Sequence, residues 1–125
     1  MPDKTPAEKM RCRPGMAVLV RHLPPAVEAR LGLPAGTQVA ASAGDAAFLV
    51  DHAATQAEAE ARLADLAAEL TAGAIAWIVY PKGAKAAGLD VSRDTIFTAA
   101  KAVGLTVVAN VAVDETYSAV RVKRP

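Results

Sequence analysis

Seven apolar residues run together at Ala74-Ile75-Ala76-Trp77-Ile78-Val79-Tyr80, with the chain's only tryptophan among them. Gly73 precedes the run, and Pro81-Lys82 ends it. A run this short, bounded by turn formers, does not alternate apolar with polar as a half-exposed strand would. It reads as a strand buried on both faces, the kind found in the middle of a parallel sheet with helices on each side. Its carboxyl end then delivers Tyr80, Pro81 and Lys82 to the edge where open α/β sheets place their ligands.

The rest of the chain supplies partners for such a strand. Residues 1–14 are polar, with three prolines and alternating charges, and read as a poorly ordered arm. Residues 15–125 read as a single α/β domain, a size that one hydrophobic core can serve. Gly15-Met16 leads into a short apolar strand at 17–21, and Pro25 suits the first turn of a helix through Arg30, with Gly32 as its left-handed stop. Weak strand character at 37–41 and a buried strand at 46–52 follow.

Thr55-Gln56-Ala57-Glu58 has the spacing of a capping box. The helix it opens carries Ala59, Leu63, Leu66 and Leu70 on one stripe. Beyond the central strand, Lys82 to Leu89 reads as a flexible loop, and Ser92 as the N-cap of a helix stopped by Gly104. Strand 106–113, the turn Asp114-Glu115-Thr116 and strand 117–123 complete a hairpin.

Right-handed crossovers between these elements leave few arrangements. The one that fits is a three-layer Rossmann-like domain similar to a reduced class I methyltransferase sheet, mostly parallel, with an antiparallel C-terminal hairpin strand. The expected order is 37–41, 17–21, 46–52, 74–81, 117–123, 106–113.

Several residues in this frame resemble a known family. Trp77-Ile78-Val79-Tyr80-Pro81-Lys82, then Leu89-Asp90-Val91-Ser92-Arg93-Asp94 opening a helix, then Val113-Asp114-Glu115-Thr116-Tyr117-Ser118 together resemble the bacterial domain of unknown function 3052. The resemblance covers roughly the last 50 residues by pattern. Tyr117 stands where that family usually has tryptophan. The family implies a methyltransferase-like α/β layout and no established activity.

The residues speak against common chemistries. A site for S-adenosylmethionine or a dinucleotide calls for a glycine-rich turn after the first strand. Arg21-His22-Leu23-Pro24-Pro25 stands there, and Val39-Ala40-Ala41-Ser42 lacks the acid that would grip a ribose. No cofactor is therefore expected. His22 and His52, the only histidines, follow neighbouring strands where the connections reverse direction; with Asp51 they suggest a metal pair, but without a third ligand they read as two surface histidines. Cys12 lies between Arg11 and Arg13, which would lower its pKa, yet has no histidine partner in sequence and reads as a spectator thiol. The Gly83–Gly88 segment lacks the Gly-Lys-Ser/Thr ending of a phosphate loop, and Ser118 lies in no nucleophile elbow.

The net charge of +1 gives no footprint for nucleic acid or an anionic membrane. One cysteine and the lack of a signal-like apolar segment suit a cytoplasmic protein. The site expected from topology lies at the carboxyl edge, where Lys82 should face Asp114 or Glu115 with Tyr117 and Ser118 close by. The reading that results is a non-catalytic module binding a small molecule or protein partner. Its alternatives are a divergent small-molecule transferase and a homo-oligomer, such as a homodimer, joined through strand 106–113.

Overall fold

The computed structural model describes residues 4–83, 88 and 90–125. Six strands form one sheet: β1 (Ala17–Val20), β2 (Gln38–Val39), β3 (Phe48–His52), β4 (Ile75–Pro81), β5 (Thr106–Ala112) and β6 (Tyr117–Lys123). Their order is β2-β1-β3-β4-β6-β5, the order expected from the sequence. The first four strands are parallel, and β6 runs antiparallel between β4 and β5. Among the described residues, four α-helices cover the sheet: α1 (Pro6–Lys9), α2 (Pro25–Arg30), α3 (Gln56–Glu69) and α4 (Arg93–Ala102).

The apolar run of β4 divides by strand alternation between two cores. Ala76, Ile78 and Tyr80 pack with Leu63 and Leu66 of α3 and with Ile96 and Ala100 of α4. Ile75, Trp77 and Val79 face the other way, toward Ala7 and Met10 at the N-terminus and Val27 and Leu31 at α2. Three layers result, with β4 buried between two of them.

The poorly ordered arm expected over residues 1–14 is corrected for the described residues. Thr5 caps α1 with a complete capping box against Glu8, and Ala7, Met10 and Cys12 are buried. Trp77 Nε1 donates to the Met10 carbonyl at 2.9 Å. The segment is also tied to the end of α2: Ala7 N donates to Leu31 O at 2.8 Å, and Thr5 Oγ1 donates to Gly32 O at 2.9 Å. Gly32 has a φ of 65°, and a Cβ there would meet the Thr5 side chain at 2.7 Å. Polar composition concealed a segment that fastens itself through one apolar face and its backbone. The Cys12 thiol is accordingly pushed up from its ordinary pKa by burial, not lowered by its arginine neighbours.

The Thr55 cap is half of the expected box. Thr55 Oγ1 accepts from Glu58 N at 3.2 Å, while the Glu58 carboxylate takes the amide of Ala54 at 3.0 Å. Ser92 caps α4 reciprocally with Thr95. The Lys82–Leu89 loop lies largely outside the described residues.

Both edges of the sheet are blunt. β2 has two residues, and β5 carries a bulge between Val107 and Ala109. The extra residue turns the strand over. Val107 packs against the α3–α4 layer, whereas Ala109 and Val111 pack against the layer holding α1 and α2. The chain's own helices cover this strand in part, leaving Val108 45% exposed, and the bulge disfavours pairing with another edge.

Candidate functional site

The chain reverses direction between β1 and β3, since β2 lies to one side of this pair and β4 to the other. The carboxyl ends of β1 and β3 therefore meet at the switch point, the place where open α/β sheets hold their ligands. A polar cluster stands there, centred on Asp51.

Asp51 is the fourth residue of the fully buried strand β3 and is itself 0% exposed. Strand alternation puts it on the side of Leu49, toward α3. A carboxylate taken out of water needs partners, and three segments supply them. His22 Nδ1 lies 2.7 Å from Asp51 Oδ1, and the His52 amide donates to the same oxygen at 2.9 Å. Arg62 of α3 brings Nε to 3.4 Å from Oδ1 while donating to His52 O at 3.0 Å. Arg21 Nη2 lies 3.1 Å from Oδ2, and Arg21 Nη1 pairs with Glu69 Oε2 at 3.1 Å. The Arg21–Asp51 contact is one of charge: neither Nη2 nor Oδ2 has a hydrogen-bond partner among the described residues.

Two groups of this cluster keep capacity for a ligand. A carboxylate only accepts, so the neutral form of His22 carries its proton on Nδ1 and leaves Nε2 as an acceptor. The His22 side chain is 47% exposed, and its backbone is held at a φ of 58°, a left-handed conformation that costs energy for a residue other than glycine. Arg62 keeps both outer nitrogens without a protein hydrogen bond among the described residues.

His52 behaves differently. It points to the opposite face, beside Tyr117, with ring centroids 6.0 Å apart. Its Nε2 is buried and has no hydrogen-bond partner among the described residues. The reading of two surface histidines holds for His22, which is exposed although bound to a buried acid, and is corrected for His52, which is itself buried. A metal pair gains no support, because no group of three or more potential ligands occurs among the described residues.

Burial pushes the His52 imidazole below its ordinary pKa of 6.5; Glu58 and Asp51 pull it up, and Arg62 and His22 add to the lowering. The folded state thus takes up this proton less readily than the unfolded chain. The resulting penalty is absent above the ordinary pKa and grows as pH falls below it, until the folded form is protonated as well. The urea midpoint should therefore drop as pH goes from about 7 to about 5, and His52→Gln should flatten that drop.

The site expected from topology is assembled in part. Lys82 Nζ reaches Asp114, but it donates to the backbone carbonyl at 2.7 Å and not to a carboxylate. The Asp114 side chain is spent on its own turn: Oδ1 accepts from the Thr116 and Tyr117 amides at 2.7 Å each, and Oδ2 lies 3.5 Å from Arg30 Nη1. Glu115 is exposed. Ser118 is buried, its hydroxyl donating within the hairpin to Asn110 Oδ1 at 2.8 Å. Lys82 thus fastens the hairpin turn to the end of β4, Asp114 and Ser118 brace the hairpin itself, and Tyr117 stands beside His52 on the face opposite Asp51. Sequence reasoning missed Arg21, Arg62 and Glu69. One signal was present: an arginine and an aspartate, each closing an otherwise apolar strand, Val18-Leu19-Val20-Arg21 and Phe48-Leu49-Val50-Asp51.

No protein-family model matches this chain, and no curated protein does. Solved structures do. LepI in complex with SAM superposes with a TM-score of 0.57 at 17% identity, over 94% of this chain and 38% of LepI. A TehB-like SAM-dependent methyltransferase from Corynebacterium glutamicum gives 0.54 at 11% identity, over 98% of this chain and 89% of its own. The glycopeptide N-methyltransferase MtfA complexed with sinefungin gives 0.55 at 11% identity, over 98% and 95%. This chain spans little more than a third of the length of LepI. The chain shares the α/β Rossmann-like fold of these structures.

Proposed function

We propose that this chain is a binding module on a methyltransferase-like fold, taking a small molecule at the carboxyl edge beside His22 and Arg62, at a switch point closed to S-adenosylmethionine. The observation that carries the proposal is the Asp51 cluster itself. Where the fold would need an open turn after β1, Arg21 and His22 reach across to Asp51 at 3.1 and 2.7 Å. Pro24 and Pro25 follow and offer no amide donors. A methionine carboxylate and an adenosine would have to displace a buried ion pair, so the residues present do not fit that cofactor. They do fit a ligand that donates to His22 Nε2 and accepts from the Arg62 outer nitrogens.

A second reading, a divergent transferase, is favoured by one feature. A histidine whose Nδ1 is held by a buried carboxylate is oriented to accept a proton at Nε2. Strand pairing into a homodimer has less support, given the bulge in β5. Membership of the domain of unknown function 3052 family and a cytoplasmic location belong to the same proposal. No helix among the described residues is long and apolar enough to cross a membrane.

Native mass spectrometry of freshly purified protein tests these readings together. A retained small molecule that is lost on Arg62→Ala, with no heat on calorimetric titration with S-adenosylmethionine, is the expected result. A micromolar dissociation constant for S-adenosylmethionine would overturn the closed switch point. A dimer that forms with rising concentration and holds no ligand would favour assembly.

A further inference from the structure

At the amino edge of the sheet, opposite the Asp51 cluster, a cavity of about 330 Å³ lies between the turn that enters β4 and the end of β6. Three cations line it, Arg121, Lys123 and Arg124, and no acid does among the described residues. Strand alternation and helix capping place them there. Val120 and Val122 of β6 pack toward α3 and α4, which sends Arg121 and Lys123 to the other face. Arg124 lies just past the strand and turns back to α3, its Nε donating to Leu70 O at 3.4 Å and its Nη2 to Ala67 O at 2.7 Å. The last carbonyls of a helix favour a cation, and here they hold a guanidinium at the rim of the sheet.

Arg121 is the residue that sets this cavity apart. It is half-buried in β6, in register with Trp77. Arg21 and Arg62, the other partly buried arginines, share the Asp51 carboxylate, whereas neither Arg121 nor Lys123 forms an ion pair among the described residues. The Arg121 Nε is closed to solvent, but both outer nitrogens are open to it and make no hydrogen bond among the described residues. A guanidinium is always charged, and drawing it partly out of water is unfavourable without a counter-charge. Ala72 and Gly73, in the turn that lines the other side, donate their amides to no backbone carbonyl among the described residues. Reachable donors therefore stand on both walls, and the charge is of one sign.

We propose that this cavity binds the phosphate group of a small molecule. A phosphate brings a double negative charge and several acceptor oxygens, and arginine forks bind it through paired charge-assisted hydrogen bonds. Arg121 supplies its outer nitrogens, Lys123 its ammonium, and Arg124 the Nη1 that the α3 carbonyls leave free. The volume lies at the lower end of small-molecule sites, roughly 300–1,000 Å³. That is room for one phosphate and a short body against Leu70 and Ala74, and too little to track a polymer. The cavity shares no residue with the Asp51 cluster, so each edge can be tested alone.

The test is an NMR titration of the isotopically labelled full chain with inorganic phosphate and with glycerol 2-phosphate, in chloride at fixed ionic strength. Saturable shifts are expected at the Arg121 and Arg124 Nε–H signals and at the amides of Ala72 and Gly73. None is expected at the Nε–H of Arg93, an exposed guanidinium outside the cavity. The tighter of the two probes assigns the group to the free ion or to an ester. Lys123→Ala, an exposed change, should weaken both about tenfold, the loss of one charge-assisted hydrogen bond, and Arg121→Gln by at least as much. No saturable shift, parallel shifts at Arg93, or affinity unchanged by Lys123→Ala and Arg121→Gln overturns the proposal. A short single-stranded oligonucleotide that shifts the same signals far more tightly than either probe also overturns it, because a polymer would then be the occupant.

Discussion

Trp77→Ala should lower the free energy of unfolding by about 3–5 kcal/mol, the range for deleting a large aromatic side chain from a packed core. Trp77 is 1% exposed at the middle of β4, paired in register with Val50 on one side and Arg121 on the other. Its indole fills the layer between the sheet and the N-terminal segment, where Ala7, Met10 and Cys12 pack in the same core. Truncation opens a cavity there and removes the donor to the Met10 carbonyl. The effect should have a spatial signature. Amide exchange should accelerate first over residues 5–12, which this contact holds down, and less over α3 and α4 on the opposite face. Trp77→Phe separates the two contributions, keeping a ring while deleting the N–H, for a loss nearer ~1 kcal/mol from the hydrogen bond. Urea denaturation measures both losses. Iodide quenching of the native fluorescence as efficient as that of free tryptophan would refute the burial on which the argument rests.

Asp51→Ala should rank second, near the lower end of the roughly 3–5 kcal/mol seen when one member of a buried ion pair is removed. The carboxylate is inaccessible to solvent, so its loss leaves Arg21 and Arg62 as neighbouring cations without their shared counter-charge. Both arginines retain some exposure, 21% and 18% of their side chains, and water can compensate them in part. That is the reason for the lower end of the range. His22 also loses the contact that holds it in a left-handed conformation, so its ring should become mobile. Asp51→Asn keeps an acceptor for the His52 amide and for His22, and should cost less. A loss under about 1 kcal/mol for Asp51→Ala, the size of an exposed pair, would mean that the cluster is not a buried one.

An Arg62 variant separates structure from binding. Arg62→Ala leaves Asp51 with Arg21, His22 and the His52 amide, so it should disturb stability less while removing two free donors from the edge. A ligand retained by the native chain and lost from this variant would assign those donors to binding.

The strand order was legible in the sequence because it depends on local features and on handedness. The apolar run 74–80 announced a central strand, the 46–50 run its neighbour, and Gly73, Gly104 and Pro25 marked where helices start or stop. With right-handed crossovers required, little freedom remained, and the sheet follows that order. The site depended on contacts that no local pattern encodes. Asp51 draws its partners from a turn 29 residues earlier and a helix position 11 residues later, and only the packing of α3 on the sheet puts Arg62 at Oδ1. The N-terminal segment looked like a solvated arm because its charges are local; what holds it are hydrogen bonds to the end of α2 and an apolar face and hydrogen bond met 67 residues away, at Trp77. Likewise Ser118 and Asp114, chemically able to serve a ligand, are spent on the hairpin, because the register of β5 on β6 brings Asn110 near Ser118 and the tight turn offers two amides to Asp114. Hydrophobic pattern is a property of neighbours along the chain and determined the fold. The balance of buried charge is a property of neighbours in space, and only the tertiary structure decided it.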